Sequence, residues 1–187
     1  GRSTPTQKKQ LNRAYQSRMP VGSSIKPLSV YGPAFDLGYS PGTPVINAPL
    51  KINGWDTEKG YPANFSGESY TGVETLRKAI NKSHNTAAAQ ALFSYVGIEN
   101  SVNYLLKLGV ARSHISATGA GLALGASGVS TIEMAAAFGA IANKGEYQEP
   151  YAFSRVVDSQ GKVYLNARNL QIKRQAFKET TSWLLIS

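Results

Sequence analysis

Apolar positions in the middle of this chain recur at helical spacing. Val73, Leu76 and Ile80 mark one face, the three-to-four-residue period of an amphipathic helix. Thr71-Gly72-Val73-Glu74 ahead of it is a T-x-x-E pattern, in which hydroxyl and carboxylate cap a first turn, and the helix is expected to end near Lys82. A second helix is expected over residues 86–96, through Ala87-Ala88-Ala89, stopping at Gly97. A third, over residues 99–108, stops at Gly109. Ser130-Thr131-Ile132-Glu133 is another capping box and opens a helix to about residue 143 that Gly145 terminates. Alternating residues on either side of Ser159-Gln160-Gly161 predict a β-hairpin spanning 154–165. The tail predicts a short strand over 171–173 and a final helix.

The first third of the chain is less regular. Residues 1–20 are polar and mixed, with a short helix expected over 7–13. A helix beginning near Gly22 is expected to kink or end at Gly32-Pro33. Residues 39–71 are rich in Gly, Pro, Asn and Ser, including Pro41-Gly42, Asn53-Gly54 and Tyr61-Pro62. They read as a long ordered loop with short strands, a length that usually serves function. Residues 112–128 are small and glycine-rich. No internal repeat or low-complexity tract is present.

Composition sets the class. The 187 residues, 42% hydrophobic and 10% aromatic, suffice for one globular domain with a substantial core. The absence of cysteine excludes disulfides and thiolate chemistry. His84 and His114 stand apart without clustered carboxylates, so neither a metal nor another cofactor is expected. The net charge of +9 is spread along the chain, with doublets only at Lys8-Lys9, Arg77-Lys78 and Lys173-Arg174. It fits solvated charge or proximity to an anionic surface, and no basic-aromatic motif points to nucleic acid. The longest apolar run, residues 134–142, is far short of the roughly 20 residues of a membrane span. Gly1-Arg2-Ser3 and Trp183-Leu184-Leu185-Ile186-Ser187 read as cuts, so the chain is expected to be a fragment truncated at both ends.

Candidate chemistry enters at Gly22-Ser23-Ser24-Ile25-Lys26-Pro27. Ser23 and Lys26 stand at i and i+3 and so share one face of a helix, a hydroxyl beside an amine that can take its proton. Pro27 cannot lie deep in a helix, which puts Ser23 in the first turn. Free amides and the helix dipole there stabilise a developing negative charge. Ser24 turns off that face and is the weaker candidate. Alone, S-x-x-K is expected about once by chance in a chain of this length. Ser83-His84-Asn85 falls in the turn between two helices, where Ser83 and Asn85 can face one cleft. A hydroxyl there can relay a proton and an amide can hold a carbonyl, although Ser and Asn also favour such turns for local reasons. His84 between them is expected to face solvent.

The two motifs together, in this order, resemble the active site of serine penicillin-recognising enzymes. Further segments resemble the transpeptidase domain of class A penicillin-binding proteins. They are Asn12-Arg13-Ala14, Tyr61-Pro62-Ala63-Asn64, Thr75-Leu76-Arg77, and the stretch from Ala123-Leu124-Gly125 through Ile132-Glu133-Met134-Ala135 to Ala142-Asn143-Lys144-Gly145. The resemblance spans nearly the whole chain. It implies an α/β fold of the penicillin-binding-protein and β-lactamase type, here a mainly helical part lacking much of the central antiparallel sheet, with residues 1–187 forming part of one transpeptidase domain.

The resemblance also implies a DD-transpeptidase that cross-links peptidoglycan at the extracytoplasmic face of the bacterial membrane, anchored by an upstream segment outside this chain. Ser23 would attack the penultimate D-Ala carbonyl of a stem peptide and Lys26 would accept its proton. Ser83 would pass a proton to the departing D-Ala, and Asn85 would orient the substrate. β-Lactams would acylate Ser23 as mimics of D-Ala-D-Ala. The family's Lys-Thr-Gly motif does not occur among these residues. It supplies part of the oxyanion hole, and losing one donor costs about 10²–10³ in rate. The fragment alone is therefore expected to be inactive and to need a second fragment. A serine β-lactamase, a DD-carboxypeptidase or a class B transpeptidase share the fold, as would a non-catalytic sensor or wall-binding module. No Glu-x-x-Leu-Asn element of class A β-lactamases follows Asn85, which favours slow deacylation.

Overall fold

The computed structural model describes residues 11–49, 51–52, 55, 62–65 and 69–187. After a short strand β1 (Arg18–Pro20), the chain enters a helical run over residues 22–36. A 3₁₀ turn (Gly22–Ile25), a π-helical turn (Pro27–Tyr31) and α1 (Gly32–Asp36) follow one another without a break. Ile25, Leu28, Val30, Tyr31 and Ala34 on this run are fully buried. The segment that carries Ser23 and Lys26 is therefore fixed by the centre of the core.

The run passes through Gly32-Pro33 and does not end there, and of the expected kink or end only a local change of helix type, the π turn before Gly32, is seen. Pro33 has no N–H for the carbonyl of Ser29, four residues back. Ser101 Oγ, 72 residues away in sequence, donates to that carbonyl at 2.7 Å. The Gly32 N–H bonds to Pro27 O instead, widening the turn. Glycine is required at this position because Phe177 lies against it: a Cβ would stand 2.7 Å from Phe177 Cζ.

The next elements form the wall facing this run. β2 (Pro44–Asn47) pairs antiparallel with β3 (Gly72–Thr75), Pro44 opposite Thr75 and Asn47 opposite Gly72. Sheet pairing thus takes Gly72–Thr75, where a capped first turn was expected. The helix α2 (Leu76–Lys82) starts later, with Thr75 Oγ1 accepting from Lys78 N. α3 (Asn85–Ala91) continues into a π turn (Leu92–Val96) ended by Gly97. Ala87, Ala88, Ala89 and Ala91 are all fully buried, small enough for neighbouring backbones to close on every side. α4 (Ile98–Lys107) is amphipathic, burying Ser101, Val102, Tyr104 and Leu105 while Glu99, Asn103 and Lys107 face out.

α5 (Gly119–Ala123) is capped by Thr118, and β4 (Gly128–Ser130) returns to pair with β1. Ser130 then caps α6 (Thr131–Ala142), and the expected box is complete, Glu133 reaching back to the Ser130 amide at 2.9 Å. β5 (Glu146–Gln148) precedes the expected hairpin of β6 (Arg155–Val157) and β7 (Val163–Asn166). A short α7 (Ala167–Leu170) leads to β8 (Lys173–Gln175), which pairs with β5 two residues beyond the expected strand. The closing helix α8 (Glu179–Ile186) is tied to α1 through Asp36, whose carboxylate accepts from Lys178 N at 2.7 Å and Thr181 Oγ1 at 2.8 Å. Of the helix expected over 7–13, residues 11–13 are not helical and the rest lies outside the described residues, as do Asn53-Gly54 and Tyr61. Among the described residues no helix is long and apolar enough to cross a membrane.

Candidate active site

Ser23 sits in the 3₁₀ turn at the start of the helical run, exposed, while Lys26 at its end is 1% exposed. In a 3₁₀ turn residues i and i+3 eclipse one another, and the Lys26 N–H closes the turn on Ser23 O. Ser24 Oγ is directed elsewhere, donating to Val21 O at 2.7 Å. The turn is braced from behind by Gly125. Gly22 N donates to Gly125 O at 3.1 Å, and a Cβ on Gly125 would stand 2.0 Å from Gly22 O. Both glycines have positive φ, +59° and +75°, which side chains other than glycine's adopt at a cost.

Lys26 is the point on which the two sequence motifs meet. Its Nζ donates to Ser83 O at 2.6 Å, Ser83 Oγ at 3.1 Å and Asn85 Oδ1 at 2.7 Å. A buried polar nitrogen is costly without partners, and a typical intramolecular hydrogen bond contributes roughly 0.5–1.5 kcal/mol net. Ser83 offers both its oxygens because it ends α2 in the left-handed region, φ 56°. That conformation costs a residue with a Cβ about 1–2 kcal/mol, and it persists where surrounding contacts over-determine it.

Those contacts form a polar network behind the motif. Asn64 Oδ1 accepts from the amides of Asn85 at 2.9 Å and Thr86 at 3.2 Å, satisfying two free donors at the start of α3. Asn64 Nδ2 donates to Asn47 Oδ1 at 2.7 Å, which also takes the Thr86 hydroxyl at 2.6 Å. Asn85 Nδ2 donates to Ala63 O at 2.9 Å. His84 does not face solvent as expected. It is 6% exposed, with Nδ1 2.7 Å from Glu74 Oε1. Burial, and after it the charge of Glu74, push the nearby Tyr31 phenol well above its ordinary pKa, so it stays neutral.

The structure thus brings Lys26, Ser83 and Asn85 into direct contact one turn from Ser23. Sequence reasoning missed Asn47, Asn64, Glu74 and Gly125 as their supports. Asn64, in Pro62-Ala63-Asn64, carried a signal only as part of a family-like segment. The arrangement suits proton transfer, since the Lys26 nitrogen and the Ser83 hydroxyl lie 3.1 Å apart with the Asn85 amide beside them.

The chain is similar to known proteins in sequence and in fold. The penicillin binding protein transpeptidase domain model matches residues 2–186. Penicillin-binding protein 1A of Clostridium perfringens is 36% identical over 165 residues, 83% of this chain and 24% of that protein. Penicillin-binding protein 1A of Vibrio cholerae is 36% identical over 159 residues, 83% of this chain and 18% of that one. The crystal structure of penicillin-binding protein 1A from Haemophilus influenzae superposes with a TM-score of 0.74 at 33% identity, covering 84% of this chain and 23% of that one. Penicillin-binding protein A from M. tuberculosis, solved as its imipenem acyl-enzyme complex, gives 0.76 at 19% identity over 94% of this chain and 44% of that one, a likeness of fold alone. The chain spans between 18% and 24% of the length of these curated relatives.

Proposed function

Since the chain belongs to the penicillin-binding protein transpeptidase family, we propose that it carries the acylation site of a peptidoglycan DD-transpeptidase, with Ser23 as nucleophile. The observation that supports this most is Lys26 Nζ held at 3.1 Å from Ser83 Oγ and 2.7 Å from Asn85 Oδ1, one helical turn after an exposed serine. Ser23 Oγ attacks the penultimate D-Ala carbonyl and its proton passes to the lone pair of Lys26 Nζ, which must stand as the neutral amine, the form that burial favours, to accept it. The carbonyl oxygen becomes an oxyanion, then re-forms the carbonyl as the C–N bond breaks. Lys26 returns the proton through Ser83 Oγ to the departing D-Ala amine. Asn85 orients the substrate carbonyl, and an amine of a second stem peptide then resolves the ester. The reaction runs at the extracytoplasmic face of the cell membrane, where peptidoglycan is cross-linked.

β-Lactams enter the same path. Their strained amide presents a carbonyl to Ser23, but the leaving amine stays tethered, so the ester persists. The M. tuberculosis relative was captured in this form with imipenem. The test is incubation with a fluorescent penicillin followed by a denaturing gel, in a polypeptide where these residues continue into a Lys-Thr-Gly strand. A band that disappears in Ser23→Ala supports the proposal. A band equally strong in that variant, or none in the unsubstituted protein, contradicts it. A band lost within seconds assigns a β-lactamase instead.

A further inference from the structure

We propose that the buried pair Glu74–His84 is a positioning device for this site, holding Ser83 and Asn85 at Lys26; the proposal rests on the acyl-enzyme reading of Ser23. His84 is the residue between the two motif positions, and its ring lies inside the protein, Nδ1 2.7 Å from Glu74 Oε1. The Glu74 side chain is fully buried. A carboxylate oxygen accepts hydrogen bonds, and the tautomer that pairs with it is the one with Nδ1–H directed at Glu74. The other carboxylate oxygen, Oε2, takes the Thr71 hydroxyl at 2.7 Å, with the Lys78 ammonium at 3.8 Å. Tyr31 also lies within the field of Glu74. Asn47 Nδ2 is 3.0 Å from the same ring nitrogen and 3.0 Å from Thr71 Oγ1. As both it and Nδ1–H are donors, its proton goes to Thr71.

The backbone shows what the anchored ring controls. His84 is the second of the two residues that link α2 to α3, extended at φ −60° and ψ 127°. Its N–H bonds back to Ala79 O at 3.1 Å and its carbonyl accepts from Ala88 N at 3.2 Å. Ser83 before it is left-handed, and Asn85 after it opens α3. Fixing the ring to Glu74 sets the rotation of this link, and with it the direction in which Ser83 O, Ser83 Oγ and Asn85 Oδ1 point. The same lock reaches Asn85 by a second route, from Glu74 through Thr71, Asn47 and Asn64 to the Asn85 amide. Glu74 and His84 act on the site through the backbone and the polar network that hold Ser83 and Asn85.

The test compares three proteins carried in a complete transpeptidase domain. Glu74→Gln/His84→Ala removes the lock without leaving a buried carboxylate unpaired. His84→Asn keeps an amide N–H where Nδ1 stands. Saturating and apparent-binding constants for acylation by a fluorescent penicillin are measured separately, with amide hydrogen exchange. A small displacement of reacting groups costs about 10²-fold. The double variant should lose roughly 10- to 100-fold in the saturating acylation rate with little change in apparent binding, and His84→Asn should recover most of it. Exchange at the Asn85 and Thr86 amides should accelerate relative to α4. A wild-type acylation rate in a folded double variant overturns the proposal. Unchanged exchange at those two amides overturns it even where Ser23 takes no label, which separates its failure from failure of the acyl-enzyme reading.

Discussion

Lys26 Nζ and Asn85 Oδ1 lie 2.7 Å apart across 59 residues of sequence. The contact joins a side chain on the first turn of the central helical run to one at the start of α3. It sets a buried base candidate against the amide that would hold substrate, with Ser83 between them. Three oxygens from two residues converge on one nitrogen, and the left-handed backbone at Ser83 lets that residue supply two of them.

Removing the base gives the first prediction. General-base catalysis contributes typically 10²–10⁴-fold, so Lys26→Ala should slow acylation by a fluorescent penicillin by about 10³-fold or more. Ser24→Ala should leave the rate near that of the unsubstituted protein, since Ser24 Oγ is directed at Val21 O. Stopped-flow or gel-based acylation rates distinguish the two. Equal rates for all three proteins would remove Lys26 from the mechanism.

Asn64 supports the site from behind, and its loss should appear in stability. Asn64→Leu leaves the Asn85 and Thr86 amides without their acceptor. A buried donor left unsatisfied costs roughly 1–3 kcal/mol. Urea unfolding should show a destabilisation of that size with unchanged slope, and acylation should slow as α3 frays at its start. A variant as stable as its parent would mean that those amides find other partners.

The third prediction concerns the floor of the nucleophile turn. Gly125→Ala places a Cβ 2.0 Å from Gly22 O at a φ of +75°. Overpacking of this kind typically costs about 1–3 kcal/mol, and here the backbone it displaces carries Ser23. Both the unfolding midpoint and the acylation rate should fall. Gly139→Ala, in the interior of α6 with open space around its Cβ, should stabilise the helix by roughly 0.5–1 kcal/mol and leave the acylation rate unchanged.

Acid stability provides a fourth. Burial pushes the Glu133 carboxyl up. Bonds from the Ser130 hydroxyl, the Ala111 and Ser130 amides and His114 outweigh it and hold Glu133 below the usual carboxylate range. A folded value lower than the unfolded one stabilises the protein fully above the unfolded value of about 4.3. That contribution is lost as pH falls through the folded value. Glu133→Gln should therefore flatten the acid limb of a stability-against-pH curve, measured by urea unfolding between neutral pH and pH of about 3. An acid limb as steep as the parent's would assign the loss to other carboxylates.

These supports also mark what sequence reading could reach. Local chemistry was legible: Ser130 and Glu133 cap a helix within four residues, and Gly97, Gly109 and Gly145 end helices at positive φ. The i, i+3 spacing of Ser23 and Lys26 survived because both lie in one turn. The misses depend on distant partners. Gly32-Pro33 reads as a kink or end until Ser101 supplies the donor that Pro33 lacks. Thr71 and Glu74 read as a cap until β2 arrives to pair with Gly72–Thr75. His84 reads as a solvent residue in a turn until Glu74 draws it inward. Polar residues at such places change role when a second segment supplies a partner, and periodicity carries no trace of that.

The central claim is that Ser23 is the residue that acylates. The most direct measurement is peptide mapping by mass spectrometry after reaction of a complete transpeptidase domain with a penicillin. The account predicts one adduct, carried by Ser23 in Gly22-Ser23-Ser24-Ile25-Lys26 and absent in Ser23→Ala. An adduct on Ser24 or Ser83, or an intact domain that forms none, would contradict it.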